Sequence, residues 1–381
     1  MILVLNAGSF SLRCALFRPG ADEPAWRAHV ADIGQAPTIS VDGVAVTVER
    51  PPQGGHAAVA RWMFTRLPVP PSAVGHRVVH GGLRHAEPMR VDADTLAALE
   101  ELVPLAPAHQ PQALACIRVV AETWPDLPQV ACFDTAFHRS QDRLAQLYPL
   151  PRALIDGGLV RFGFYGLSYA PVARMIPRGQ VLAAHPGYGA SLCAIRDGRS
   201  VATTMGFTTL DGLMMGTRSG AVDPGLVLHL IRERGLSPDA LADLLNERSG
   251  LLGVSGISDD VRVLEASTAV EAREALDLFA YRAVRDAGSL VPALGGLDTL
   301  VFTGGIGEHA AGIRASICRG LALAGIVLDE TANAQGKASI GGPAAVAAVR
   351  IIPANEEREI ALSSADVLNE ARGRCSRPRP P

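Results

Sequence analysis

Residues 2–20 read ILVLNAGSFSLRCALFRPG, which is an apolar strand, a small-residue loop with a glycine, and a second apolar strand. Residues 181–198 read VLAAHPGYGASLCAIRDG and repeat this order, with Ser-Leu and Cys-Ala in corresponding places. Two such strand–loop–strand hairpins, separated by the length of a domain, predict that the chain contains a duplicated domain. A chance likeness between two ordinary β-hairpins is the alternative interpretation.

Segments with helical spacing of apolar residues alternate with short apolar strands around these hairpins. Asp92 is a candidate to cap one such segment, and residues 267–287 are predicted to form a longer amphipathic helix. The stretches QVACFDTAF and TLVFTGG have the character of buried strands. This alternation predicts an α/β fold. We place one domain at residues 1–145 together with about 358–381, and a second domain at residues 146–357.

The composition excludes several classes of protein. Of the 381 residues, 48% are apolar and 19% are charged, which excludes a disordered chain. The formal net charge of -3 gives no reason to expect a nucleic-acid binder, and no apolar run reaches the length of a membrane span. The six scattered cysteines and the lack of a secretory signal predict reduced, mostly buried thiols in a cytoplasmic protein. We expect the basic, proline-rich residues 372–381 to be disordered.

Three glycine-containing loops follow predicted strands, at residues 6–9, 185–189 and 303–308. Backbone amides in such loops approach phosphate oxygens closely, and the third loop also opens a helix. Each loop alone is more often a simple turn, but three in a duplicated α/β chain favour a nucleotide site. Neither the P-loop pattern nor the GxGxxG spacing is present.

Charged residues at strand ends are further candidates for chemistry. Arg77 lies among apolar residues on a strand and Arg218 lies among small residues, so both are candidates to bind an anion. Asp134 ends a buried strand, and Glu356 follows another. The alternatives are internal salt bridges for the arginines and a turn cap for Asp134. The histidines do not have the spacing of a zinc site.

The chain resembles the acetate kinase family, in the wider group of short-chain acyl kinases, in motifs that occur in order. These are NAGSFSL, GHRVVHGG, LAPAHQP, FDTAFH, FGFYGLS, MGFTTLDGLMMGTRSGAVDPG, SGISDDVR, TGGIGEH and PANEE, spanning residue 2 to about 362. The resemblance implies the duplicated ribonuclease-H-like fold of actin, Hsp70 and sugar kinases, with the active-site cleft between two domains. The first domain would bind the acyl substrate, and the second would bind the nucleotide and form a homodimer.

The resemblance also implies the reaction ATP + acetate ⇌ ADP + acetyl phosphate by direct phosphoryl transfer, with Mg²⁺ or Mn²⁺. Asn6 and Glu356 would hold the metal, and Arg77 and Arg218 would bind the carboxylate and the phosphoryl group. Asp134 would be the essential carboxylate. Because acetate is already ionised, it needs no general base, and we expect Asp134 to position Mg²⁺ or an arginine. His109 would lie near the acyl phosphate. The nucleotide site would comprise Arg13, His185, Pro186, Gly187, Tyr188, Gly189, Asp260, Val261, Arg262, Gly305, Ile306, Gly307, Glu308 and His309.

Several residues depart from the family pattern. Tyr165 stands where the family has a histidine that stabilises the transition state, and Tyr188 stands where it has asparagine in a phosphate loop. Leu83 replaces glutamate, His309 replaces asparagine, and Phe10 replaces a small serine.

Tyr165 can donate a hydrogen bond but cannot become cationic near neutral pH. We therefore predict a slow or altered acyl kinase, acting on acetate or another short-chain acid. The alternatives are a catalytically weakened nucleotide-binding homologue with a regulatory role, and a related sugar or glycerol kinase. Neither a nucleic acid nor a membrane is an expected partner.

Overall fold

The computed structural model describes residues 1–46, 52 and 54–375, the last five of these without their side chains. These residues divide into two compact units. The first comprises Met1–Phe137 and the chain from Asn355 onward, and the second comprises His138–Ala354.

The first unit is built on a sheet with the strand order β5-β4-β3-β2-β1-β6-β8-β7. Its strands are β1 (Ile2–Ala7), β2 (Leu12–Phe17), β3 (Trp26–Ala31), β4 (Thr38–Val41), β5 (Val44–Ala45), β6 (Ala73–Val78), β7 (Met89–Arg90) and β8 (Gln129–Phe133). Its helices are α1 (His56–Phe64), α2 (Ala93–Glu100), α3 (Gln110–Thr123) and α15 (Glu356–Cys375), with a 3₁₀ turn at Val103–Leu105.

The apolar pattern of the strands explains how these layers pack. All six residues of β1 are buried, and residues of α1 and α3 join those of β1 and β2 in one hydrophobic core. Helix α15 packs closely against Gly75 of β6: a Cβ at Gly75 would collide with Ser364 Oγ and lie 2.7 Å from Ile360 Cγ2. Glycine therefore lets this helix lie directly on the sheet.

The second unit is built on a sheet with the strand order β11-β10-β9-β12-β13. Its strands are β9 (Gln180–His185), β10 (Ser191–Arg196), β11 (Arg199–Thr203), β12 (Thr299–Phe302) and β13 (Ala348–Ile351). Its helices are α4 (Arg143–Gln146), α5 (Arg152–Asp156), α6 (Gly166–Met175), α7 (Pro224–Arg232), α8 (Pro238–Glu247), α9 (Gly250–Ser255), α10 (Val261–Ala266), α11 (Val270–Leu294), α12 (Gly304–His309), α13 (Ala311–Gly320) and α14 (Glu330–Ala334). Shorter 3₁₀ turns lie at Ala136–Ser140 and Ala322–Ala324.

The two sheets share one topology. In the first unit β3, β2 and β1 are successively antiparallel, and β1, β6 and β8 are successively parallel. In the second unit β11, β10 and β9 are antiparallel, and β9, β12 and β13 are parallel. The two similar hairpins at residues 2–20 and 181–198 therefore occupy equivalent places in the two sheets, as a duplication requires.

Several boundaries differ from those expected from the sequence. The units meet at residues 137/138 and 354/355, not at 145/146 and 357/358. His138 belongs to the second unit because its ring hydrogen-bonds Ser200 Oγ and the Phe164 carbonyl, at 2.9 and 2.7 Å. The long helix of the second unit begins at Val270 and continues to Leu294, where Gly295 ends it with φ 86°.

The cysteine prediction holds for the side chains that the structure describes. Cys14, Cys116, Cys132, Cys193 and Cys318 are buried free thiols, and burial raises the pKa of Cys116 to about 12. The side chain of Cys375 lies outside the described residues. The tail prediction is wrong for residues 372–375, which continue helix α15 because the first proline comes only at Pro378. Residues 376–381 lie outside the described range.

Candidate active site

In the first unit, Arg77 and Asp134 form an ion pair at the ends of two parallel strands. Arg77 donates from Nε and Nη2 to Asp134 Oδ2 at 3.0 and 2.6 Å, and from Nη1 to the Ala7 carbonyl at 3.3 Å. The pairing of β6 with β8 places the two residues on neighbouring strands. The internal salt bridge that the sequence left open for Arg77 is therefore present, and it fixes the guanidinium at three adjacent strand ends.

Asp134 is almost fully buried, with 1% of its side chain exposed. Burial raises the pKa of this carboxyl from 3.8 to about 6, because it outweighs the attraction of Arg77, and the nearby Glu356 carboxylate raises the pKa further. Its second oxygen, Oδ1, is buried and has no hydrogen-bond partner among the described residues. An oxygen in that position is available to a cation or to a donor on a ligand.

Asn6 lies beside two acidic residues at the start of α15. Its Nδ2 donates to Glu356 Oε2 and to Glu357 Oε1, both at 3.0 Å, which leaves Oδ1 as the acceptor atom of the amide. Arg13 is half exposed, and its Nη1 lies 3.9 Å from Glu357 Oε1. Carboxylate and amide oxygens are the hard ligands that Mg²⁺ and Mn²⁺ prefer.

Within the described ranges, no three histidine, cysteine, aspartate or glutamate residues are arranged to hold a metal. Mg²⁺ does not require such a cage, because it commonly keeps several waters and takes one or two carboxylates together with substrate phosphates. The donors Asn6 Oδ1, Glu356 and the unpaired Asp134 Oδ1 fit a site of that kind.

The loop after β1 is held by two histidines. Ser9 Oγ lies 3.0 Å from His109 Nε2. His56 Nε2 lies 2.8 Å from the Gly8 carbonyl and 3.2 Å from the Ser11 carbonyl. Sequence reasoning missed His56, because nothing near it in the chain shows that it meets this loop.

In the second unit, two glycine loops meet at the ends of the parallel strands β9 and β12. Thr303 N donates to the Ala184 carbonyl at 2.8 Å, and Gly307 N donates to the Pro186 carbonyl at 3.0 Å. Gly304 has φ 75°, and a Cβ there would lie 2.8 Å from His185 Nε2. The structure thus brings residues 185–189 together with residues 303–309.

Arg314 supports the second of these loops and was not found from the sequence. It is 1% exposed and donates from Nη1 to the carbonyls of Gly307 and Glu308 at 3.0 and 2.8 Å. Its Nε and Nη2 bond to Asn333 at 2.7 and 2.8 Å. The side chain of Glu308 accepts from Ala354 N at 2.9 Å. The sequence of α13 offered no signal for this role, because Arg319 lies on the same helix and is exposed.

Tyr165 and Arg218 converge on the other loop. The ring of Tyr165 stacks on that of His185, with centroids 4.5 Å apart. A Cβ at Gly189 would collide with the Tyr165 hydroxyl and lie 2.6 Å from Arg218 Nη2, so both groups lie against this glycine. Arg218 is also held through Nη1, which donates to the Thr209 carbonyl at 2.9 Å. Tyr165 has φ 61°, a conformation that is uncommon for a residue with a side chain.

Tyr188 lies at the surface of the loop. Its ring packs on Gly216, where a Cβ would lie 3.0 Å from Cδ2, and its hydroxyl lies 3.4 Å from Thr217 Oγ1. Because 58% of the residue is exposed, its bulk projects outward.

The remaining predicted nucleotide residues lie at the start of α10 and at the end of α12. Asp260 caps α10 by accepting from Arg262 N at 2.8 Å, and the hydrogen bond from the Arg262 side chain lowers the pKa of its carboxyl. With Val263, Ala266 and Ser267, these two residues line an open depression of about 600 Å³. Val261 is buried, and His309 is exposed.

The predicted site residues are shared between the units. The first unit carries Asn6, Arg13, Arg77, His109, Asp134 and Glu356, and the second carries all the others.

Comparisons with known proteins agree on one family. The family profile described as "Acetokinase family" matches residues 1–362. The acetate kinase of Rhodopseudomonas palustris (strain ATCC BAA-98 / CGA009) is 45% identical over 95% of this chain and 96% of its own length. The acetate kinase of Nitrobacter hamburgensis is 43% identical over 96% of each chain.

Solved structures show the same likeness. An acetate kinase from Porphyromonas gingivalis has a TM-score of 0.87 and 32% identity, covering 96% of this chain and 99% of that one. A propionate kinase from Francisella tularensis has a TM-score of 0.89 and 33% identity, covering 95% and 98%. The predicted α/β fold class is confirmed.

The predicted type of enzyme, a phosphotransferase with a carboxyl group as acceptor, is also confirmed, and nothing found supports the regulatory alternative. Among the described residues, no helix is long and apolar enough to cross a membrane. The chain belongs to the acetokinase family.

Proposed function

We propose that this protein transfers a phosphoryl group reversibly between ATP and acetate, with Mg²⁺ as the metal. The observation that carries the proposal is the Arg77–Asp134 pair beside the Asn6–Glu356 group. This arrangement brings a fixed cation and a set of hard oxygen ligands close together at the ends of β1, β6 and β8. Phosphoryl transfer between two anions needs such fixed charges more than it needs covalent chemistry.

Arg77 is the proposed contact for the carboxylate of acetate. Acetate arrives ionised, so no residue has to remove a proton from it. Asp134 Oδ2 accepts both Nε and Nη2 of Arg77, and this orients the remaining edge of the guanidinium. Asp134 therefore serves as the group that positions the arginine, and His109, bonded to Ser9, lines the same loop.

Mg²⁺ would be held by Asn6 Oδ1, Glu356 and Asp134 Oδ1. When bound, it would neutralise charge on the phosphates of the nucleotide. Nδ2 of Asn6 donates to both Glu356 and Glu357, which holds its Oδ1 in a fixed orientation.

In the second unit, the backbone amides of residues 187–189 and of Gly305 and Ile306 are the proposed contacts for the nucleotide phosphates. The open depression beside Asp260 and Arg262 is the proposed site for the nucleoside. The Tyr165 hydroxyl and Arg218 Nη2, both against Gly189, are the proposed donors to the phosphoryl group in transit. Their placement favours stabilisation of charge that develops during transfer.

We also propose that the protein is a cytoplasmic homodimer formed through the second unit. No residue is buried in α7, a helix whose residues are all described, and Leu226, Leu228 and Ile231 are 47%, 49% and 37% exposed. A helix that exposes apolar side chains around its surface, with none of its residues buried, suits burial by a second copy of the chain. Light scattering after size exclusion tests the prediction, and a monomer that persists at high protein concentration would contradict it.

The activity is tested by trapping acetyl phosphate as the hydroxamate, with ATP, MgCl₂ and acetate, propionate or butyrate in parallel. We expect turnover that depends on both the acid and MgCl₂ and is lost in Arg77→Ala. ATP binding without any acyl phosphate from these acids would refute the proposal.

A further inference from the structure

Three side chains of the second unit converge on Gly206. A Cβ at this position would collide with the Tyr148 hydroxyl and with Asp211 Oδ2, and would lie 3.2 Å from Arg161 Nη1. Arg161 Nη1 lies 3.2 Å from Asp211 Oδ2, and the Arg161 guanidinium lies 5.3 Å from the centre of the Tyr148 ring. Tyr148 is fixed in turn, because its hydroxyl accepts from Phe207 N at 2.8 Å.

Arg161 belongs to the segment that leads into Tyr165. This segment is bound to the same glycine, since Phe162 N and Gly163 N donate to the Gly206 carbonyl at 3.0 and 3.2 Å. Gly163 has φ 72° and packs against His138. A Cβ at Gly163 would lie 2.6 Å from His138 Cγ. The backbone from Arg161 to Tyr165 therefore has little freedom to move independently of Gly206.

Asp211 belongs to the loop that leads into Arg218. Its Oδ1 accepts from Gly212 N at 2.9 Å, while its Oδ2 faces Arg161. The loop is closed by Met215 N, which donates to the Arg218 carbonyl at 3.0 Å. Gly212 packs on Thr204, and a Cβ at Gly212 would lie 2.8 Å from the Thr204 carbonyl oxygen. The same oxygen accepts from Arg161 Nη2 at 3.0 Å.

We propose that Arg161 and Asp211 are positioning residues that fix Tyr165 and Arg218 relative to each other. Each member of the pair is anchored on the segment of one of these two groups, and the ion pair joins the two segments. This inference rests on the proposed function, in which both groups contact the phosphoryl group in transit. Neither Arg161 nor Asp211 touches the substrate.

The exposure of the pair agrees with this role. The side chains are 25% and 31% exposed, so solvent screens their attraction and their contribution to global stability is small. The backbone hydrogen bonds of both segments remain when the pair is removed, so the fold should persist. A displacement of about 1 Å at a site of charge stabilisation is still sufficient to slow transfer by up to about 100-fold.

The test is a cycle of Arg161→Gln, Asp211→Asn and the double variant, assayed for acetyl phosphate formation. We expect each single variant to lower kcat at least tenfold, with KM for ATP and for acetate within threefold of wild type. The double variant should lose no more than the worse single one, because the two residues act as one unit. Arg161→Lys should recover part of kcat by restoring a cation.

The matched control is the exposed pair formed by Arg248 and Asp243 in the same unit, whose side chains are 58% and 53% exposed. Arg248→Gln should leave kcat unchanged. Unchanged kcat in Arg161→Gln, additive losses in the double variant, or a loss explained by a lower melting temperature would overturn the proposal.

A second measurement separates this inference from the proposed function. If the wild-type protein forms no acyl phosphate, the proposed function fails, and amide hydrogen exchange then decides the positioning role. In Arg161→Gln, exchange should quicken at least tenfold in residues 162–165 and 212–218 together, and remain unchanged in β12. Exchange that quickens in only one segment, in neither, or throughout the unit would refute a link between the two.

Discussion

Replacing Asp134 with asparagine should separate the stability of this protein from its activity. The wild-type carboxyl has its pKa raised from 3.8 to about 6 by burial, in spite of Arg77. A rise of that size means that the folded protein disfavours the ionised form by about 3 kcal/mol. The neutral amide of Asp134→Asn removes this cost. Its Nδ2 takes the place of the unpaired Oδ1 as a buried unpaired group, which costs about 1–3 kcal/mol.

The net effect of Asp134→Asn on the free energy of unfolding at pH 8 is therefore between about zero and about 2 kcal/mol in favour of the variant. The sign depends on pH. Between about pH 4 and pH 6 the folded wild-type protein binds more protons than the unfolded chain, so its stability falls as pH rises through this window. The variant lacks this slope, and the two stability curves should diverge toward neutral pH.

Activity should change in the opposite direction. An amide holds the Arg77 guanidinium with neutral hydrogen bonds, so the cation is less firmly fixed. We expect kcat to fall at least 100-fold, which corresponds to about 2.7 kcal/mol of transition-state stabilisation. Urea unfolding in EDTA measures the stability, and the hydroxamate assay measures kcat.

The control for this experiment is Glu100→Gln, which breaks the exposed Arg118–Glu100 pair of the same unit and should change neither quantity. The reasoning fails if Asp134→Asn keeps its kcat. It also fails if the free energy of unfolding of Asp134→Asn is lower than that of the wild type by about 3–5 kcal/mol, as expected when one partner of a net-stabilising buried pair is removed. The loss of kcat would then reflect unfolding.

Three further predictions concern other parts of the site. Tyr165→His combined with Tyr188→Asn should raise kcat about tenfold or more, because an imidazole can carry a positive charge that a phenol cannot; no gain in the hydroxamate assay would contradict this. Arg314→Met should raise KM for ATP about tenfold with less effect on kcat, because two loop carbonyls lose their buried donor. Arg319→Met on the same helix, where the arginine bonds only Ser316 Oγ among the contacts described, is its control. The wild-type kcat/KM, which reports the free enzyme, should decline as pH falls through about 6, where Asp134 takes up a proton, and this limb should be missing from the pH profile of Asp134→Asn.

The elements that the sequence predicted are those coded locally. The alternation of apolar residues and the position of glycine defined the two hairpins. Asp92 was predicted as a helix cap, and its carboxylate accepts from Thr95 N at 2.8 Å. The resemblance to the acetate kinase family then marked the strand ends that carry Arg77 and Asp134.

Residues whose roles depend on distant backbone could not be found in this way. His56 bonds carbonyls more than forty positions away, and Arg314 bonds Asn333 as well as its own loop. No periodicity or turn signal records which carbonyl will face a side chain after folding. The sequence placed the first domain boundary at 145/146, whereas the second unit begins at His138. The reason is the same, because His138 bonds the distant Ser200.

The two sheets show how one topology carries two kinds of chemistry. At the ends of the parallel strands in the first unit, side chains supply the charges: a guanidinium, a buried carboxylate and the acidic start of α15. At the equivalent strand ends in the second unit, glycines such as Gly304 and Gly189 keep side chains away and leave backbone amides and two donors, Tyr165 and Arg218. Because the strand pairing is the same, the difference lies in the residues at the strand ends and in the segments that follow them. Duplication thus provided two equivalent strand edges, and substitution at and after the strand ends made one the proposed site for a metal and a carboxylate and the other the proposed site for phosphates.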